Sequence, residues 1–209
     1  AGTLQVGAGG TSGVLGAGDV INNGALVFDR SDSSTVVNTI NGTGSVIQQG
    51  TGTTVLTGNS SYAGDTTITA GTLQVGNGGA SGTLGIGNVV NNGTLLLNRS
   101  DAQLIANSIS GTGSVTQQGA GTAVLTGNNS YVGTTTIASG TLQVGHGGNS
   151  GSLGAGAITN NSVLSVDRSD ALTMAQNISG TGALQQLGSG TTTLTGSNSY
   201  TGGTVVAAG

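Results

Sequence analysis

The chain has no cysteine, proline or tryptophan, and its only aromatics are three tyrosines and one phenylalanine. Without cysteine there are no disulfide staples and no thiolate metal sites. Lysine and glutamate are also missing: three arginines face seven aspartates, for a formal net charge of −4. That balance argues against nucleic acid or an anionic membrane as partner. A β-helical polysaccharide lyase or hydrolase would need clustered carboxylates with Arg or Lys in a groove, and scattered aspartates do not supply them. No run of eighteen apolar residues marks a membrane helix, and no charged-then-apolar leader marks a signal peptide. Charged residues make up only 5 % of the chain, whereas disorder is usually accompanied by strong net charge. With 43 glycines in 209 residues and no proline, the composition stops short of low-complexity disorder and fits a folded chain with a thin core.

What is present is a period. The hexapeptide GTLQVG stands at residues 2–7, 71–76 and 140–145, and this 69-residue period divides the chain into units 2–70, 71–139 and 140–208. Within the hexapeptide, Leu4, Leu73 and Leu142 with Val6, Val75 and Val144 take one face, while Thr3, Gln5 and their equivalents take the other. That alternation predicts a half-buried β-strand.

The same reading along the unit gives further strands separated by Gly-rich and Asn-Gly turns. Their inward positions are Leu26, Leu95 and Leu164; Phe28, Leu97 and Val166; Val46, Val115 and Leu184; Leu56, Leu125 and Leu194; and Ile68, Ile137 and Val206. These and the hexapeptide residues form the expected interior. No helical periodicity is present.

The steps from Leu4 to Leu26, from Leu26 to Val46 and from Val46 to Leu73 are 22, 20 and 27, each the size of one turn of a β-solenoid. The expectation is an all-β solenoid with three coils per unit and nine in total, a rod of roughly 43 Å at about 4.8 Å per coil. On that basis Gln5, Gln74 and Gln143 recur along one side at intervals of about 14 Å. An antiparallel sandwich is the alternative, but it gives no reason for an uninterrupted 69-residue period. Stacking also explains the low charge: columns of like charge repel, whereas columns of Asn, Gln, Ser and Thr can hydrogen-bond.

The run LTGNSSYAGDTTITAGTLQVGNGG at residues 56–79 recurs as LTGNNSYVGTTTIASGTLQVGHGG at 125–148 and, truncated, as LTGSNSYTGGTVVAAG at 194–209. It resembles the passenger-associated transport repeat of Gram-negative autotransporters, and the NISGTG segment at 177–182 fits the same pattern. The resemblance covers about half of each unit directly. It implies a right-handed parallel β-helix, exported to the cell surface through an outer-membrane β-barrel translocator carried elsewhere in the full-length protein. The absence of cysteine agrees with export in an unfolded state. Neither end shows a polar cap, so a segment of a longer passenger or fibre is expected.

Candidate sites are few. The loops Asp29-Arg30-Ser31-Asp32, Asn98-Arg99-Ser100-Asp101 and Asp167-Arg168-Ser169-Asp170 hold all three arginines. Asp29, Asp32, Asp101, Asp167 and Asp170 are the candidate calcium ligands, set against a solvated turn in which each Arg pairs with its own Asp. Because Asn98 breaks the set, no metal, cofactor or catalytic residue is assigned. His146, whose equivalents are Ala8 and Asn77, reads as an exposed loop residue, and Tyr62, Tyr131 and Tyr200 read as loop anchors rather than sugar-stacking platforms. The Gly-rich connectors lack the Lys and helix of a phosphate cradle. The reading is a non-enzymatic, self-associating surface rod with host or surface glycans as further partners. The alternatives are a passive stalk and, more remotely, an ice-binding solenoid built on Thr66-Thr67 and Thr135-Thr136.

Overall fold

The computed structural model describes residues 2–209. Among them there is no helix, only short strands from Thr3–Val6 to Thr204–Val206, and every strand pairing is parallel. Three sheets of six, eight and six strands, with two two-stranded pairs, form the three faces of a parallel β-solenoid. Each coil takes the chain once around the three faces and places a strand directly on its predecessor.

The register shows how the 69-residue unit maps onto the coils. On the first face Leu4 pairs with Leu26, Leu26 with Val46, and Val46 with Thr66, so each pairing closes one coil. Leu73, the second unit's equivalent of Leu4, is not on that face. It pairs with Thr54 and Leu95 on the second face. Leu142, its equivalent in the third unit, pairs with Ala123 and Leu164 on the third. One unit is therefore three coils plus one face, and three units make about ten coils rather than nine. The 27-residue step from Val46 to Leu73 overran a coil, because the strand Thr66–Ile68 closes it first. The rod is about 48 Å long, each unit rises about 16 Å, and Gln5, Gln74 and Gln143 face three directions instead of forming one row.

Corners are where successive coils approach most closely. A Cβ on Gly24 would lie 2.2 Å from the Gly2 carbonyl oxygen, one on Gly44 2.2 Å from that of Gly24, and one on Gly64 2.4 Å from that of Gly44. Glycine suits such a column, and this use explains part of its abundance, although Ser162 takes the equivalent place in the third unit and turns its hydroxyl to the Gly140 carbonyl. Beside it, buried Asn91 donates from Nδ2 to the Ser114 carbonyl at 2.8 Å and accepts from Gly93 N at 3.2 Å. Asn22 and Asn160 repeat the arrangement. These asparagine corners are thus satisfied within the stack.

The interior is a continuous apolar column. Val6, Leu26, Phe28, Val46, Leu56, Ile68, Leu73, Val75, Leu95, Leu97, Val115, Leu125, Ile137, Leu142, Val144, Leu164, Val166 and Leu184 are all buried. Leu4 and Val206 depart from the expected interior, being 56 % and 72 % exposed, and Leu194 is only partly buried. Each belongs to one of the outermost coils, where no further described coil covers its inward face.

The candidate functional surface: clamped connector flaps

After each hexapeptide the chain leaves the coil and returns, forming a flap at residues 7–13, 76–82 and 145–151. The outgoing arm runs beside the next coil's loop: Gly78 N donates to the Asn98 carbonyl at 2.8 Å, and Ser100 N to the Gly79 carbonyl at 3.0 Å. The returning arm closes against the first residue, since a Cβ on Gly82 would lie 2.6 Å from Gly76 N. Both glycines have positive φ, +80° and +100°, a conformation that L side chains rarely adopt. The first and third flaps share this closure through Gly7 with Gly13 and Gly145 with Gly151.

The three arginines pin the flaps. Arg99 gives Nε to Asp101 Oδ1 at 2.9 Å and Nη2 to Oδ2 at 2.8 Å, a two-pronged pair. Its remaining donors reach the Gly82 and Ala80 carbonyls, both at 2.7 Å. Arg30 likewise engages Asp32 and the Gly13 carbonyl, and Arg168 engages Asp170 and the carbonyls of Gly151 and Asn149. The fixed fork of guanidinium suits this task better than an ammonium group would. Hydrogen bonding to the arginines, ahead of an opposing desolvation, holds the carboxyls of Asp32, Asp101 and Asp170 below their ordinary range.

The other candidate carboxylates, Asp29 and Asp167, are also engaged within the chain, accepting from Gln5 and Gln143 at 2.9 and 3.3 Å. Asp65, outside the candidate set, accepts from Asn88 N at 2.9 Å. Among the described residues no three His, Cys, Asp or Glu side chains converge on a point that could hold a metal. His146 is exposed on the third flap.

Tyr62 and Tyr131 are fully buried, so neither offers a ring to a sugar. Their hydroxyls meet Thr66 and Thr135 Oγ1, each at 2.7 Å. Those threonines point inward, which leaves Thr67 and Thr136 as the outward members of the Thr-Thr pairs. Sequence reasoning missed both this pairing and the arginines' reach back along the chain to the flap. The first had a local signal in the spacing Tyr62 to Thr66. The second had only the repeated framework G-x-G-G-x-S-G beside an Arg present in every unit.

Comparison with known proteins follows the same periodicity. The passenger-associated-transport-repeat family matches residues 46–75, 115–144 and 184–209. An adhesin of Brucella suis biovar 1, the BmaC autotransporter, is 37 % identical over an alignment covering 93 % of this chain. The chain spans only 7 % of that relative's length. No solved structure matches. The chain thus belongs to the repeat-built passengers of autotransporters, which are exported across the outer membrane to the surface of Gram-negative bacteria.

Proposed function

We propose that this chain is a stretch of the shaft of an adhesin-type passenger, non-enzymatic, with weak binding spread along its length and directed chiefly at like chains. The observation that carries the reading is the surface itself: all three arginines and every aspartate but Asp19 are tied into intramolecular contacts, and the outward strand positions are largely Thr, Ser and Gln. Shallow concavities lined by apolar residues lie against the outermost coils, around Leu184, Leu194 and Val206 at one end and Leu4, Val20 and Leu26 at the other, and along the rod around Ile86 and Leu104. Weak contacts repeated along a stiff rod add through effective concentration, giving adhesion without a deep pocket. Glycans remain a second class of partner, met chiefly through amides and hydroxyls because the Tyr62 and Tyr131 rings are inside.

The passive stalk is the second reading, and the small share of the Brucella relative spanned by this chain favours it. Displaying segments with increasing numbers of units on cells separates the two. The adhesive surface predicts cell aggregation that rises steeply with unit number. Background aggregation at every length leaves the stalk.

A further inference from the structure

The three flaps stand on three different edges of the rod. The first follows Val6 on the first face, the second follows Val75 on the second face, and the third follows Val144 on the third face. Each is one face further round than the last and about 16 Å further along. Flaps on the same edge therefore recur only after three units, about 48 Å.

Three properties make the flaps contact elements. They project, with open space around the Cα of Gly10, Gly79 and Gly148. They are held at the base and by arginine, so a contact there orders little that is not already ordered. Their tips carry no Asp, Glu, Lys or Arg, with Ala8 and Thr11, Asn77 and Ala80, and His146 and Asn149 at the variable positions. Exposed apolar side chains define no continuous competing seam: Val14 and Val37 line one concavity just after the first flap, and Ile86 and Leu104 line another just after the second, one unit on.

We infer that the rod associates with copies of itself on all three sides through the flaps, forming a bundle rather than a one-sided zipper. The inference rests on the self-association reading above and adds its geometry. A neighbour shifted by one unit and turned by one face presents the same G-x-G-G-x-S-G flap framework, so one kind of backbone-shaped contact can be made in every lateral direction. A low net charge of −4 on 209 residues leaves little repulsion between rods.

Gly10→Asp, Gly79→Asp and Gly148→Asp place a carboxylate on one edge each, at positions where an added Cβ meets nothing within 4 Å and φ is not positive. Association of the 209-residue chain and these variants is followed by light scattering and sedimentation, with thermal melting to show that each remains folded. Each single variant should lower the associated fraction by about a third, and the triple variant by about tenfold or more. Abolition by one single variant while the other two have no effect would establish a one-sided seam and overturn the inference. So would a folded triple variant that associates like the parent. A parent chain that stays monomeric at every concentration would sink the self-association reading itself.

Discussion

Tyr62 and Thr66 show how a thin core tolerates polar atoms. Val46, Thr66 and Val89 stack on the first face, so the Thr66 hydroxyl enters an apolar column and needs a partner, which the Tyr62 hydroxyl supplies. Tyr62→Phe or Tyr131→Phe should leave a buried hydroxyl unpaired and lower stability by about 1–3 kcal/mol. Tyr200→Phe should change it by less than about 0.5 kcal/mol, because the Tyr200–Thr204 pair is exposed. Denaturant midpoints of the three variants check this contrast, and equal losses at all three would contradict it.

The same residues set the response to pH. Burial raises the phenol pKa of Tyr62 and Tyr131, so their contribution is complete below the unfolded value of about 10 and is lost as pH rises through the folded value. The flap-clamping aspartates have the opposite sign. Their folded values are lowered, so the clamp is intact above the unfolded value of about 4 and is lost as pH falls through the folded one. Hydrogen exchange at Gly78 and Gly82, corrected for its intrinsic pH dependence, should show the flap loosening in acid while the coil amides stay protected. Simultaneous loss of both would mean that the clamp is not a separate local unit.

At the scale of elements, glycine has two uses that the same letter hides. Gly85 lies over the Tyr62 ring: a Cβ there would meet the Tyr62 carbonyl oxygen at 2.2 Å and a ring carbon at 2.4 Å. Gly79, on the flap, meets nothing within 4 Å. Gly85→Ala should therefore cost at least the roughly 1–3 kcal/mol typical of overpacking, and Gly79→Ala close to nothing. Melting temperatures of the two variants measure this directly, and a Gly85→Ala variant as stable as the parent would mean that the coils do not approach so closely.

The strands themselves were legible, because alternation in residues such as Leu73 and Val75 depends only on the pleat. What was not legible was which strand closes a coil. Thr66–Ile68 and Thr72–Val75 both read as inward-facing strands, and only stacking shows that the first lies on Val46 while the second begins the next face. The flap was hidden for a similar reason. Its glycines announced turns, but the clamp depends on an arginine from the following coil meeting a backbone carbonyl, which leaves no pattern of spacing.

For the whole molecule, the mismatch between unit and coil decides what the surface can do. A unit of three whole coils would present every feature in one row, whereas three coils plus one face distributes each feature around the rod. Gln74 and Thr136 are joined through Leu96 and Thr116 on the second face, three coils apart, or about 14 Å. Gln74 and Gln143 are true equivalents, one unit apart, yet they lie on different faces. Spin labels at the outward positions of these two pairs test the geometry through their dipolar coupling. The account predicts strong broadening for the Gln74/Thr136 pair and little for Gln74/Gln143; strong broadening for Gln74/Gln143 and little for Gln74/Thr136 would contradict it.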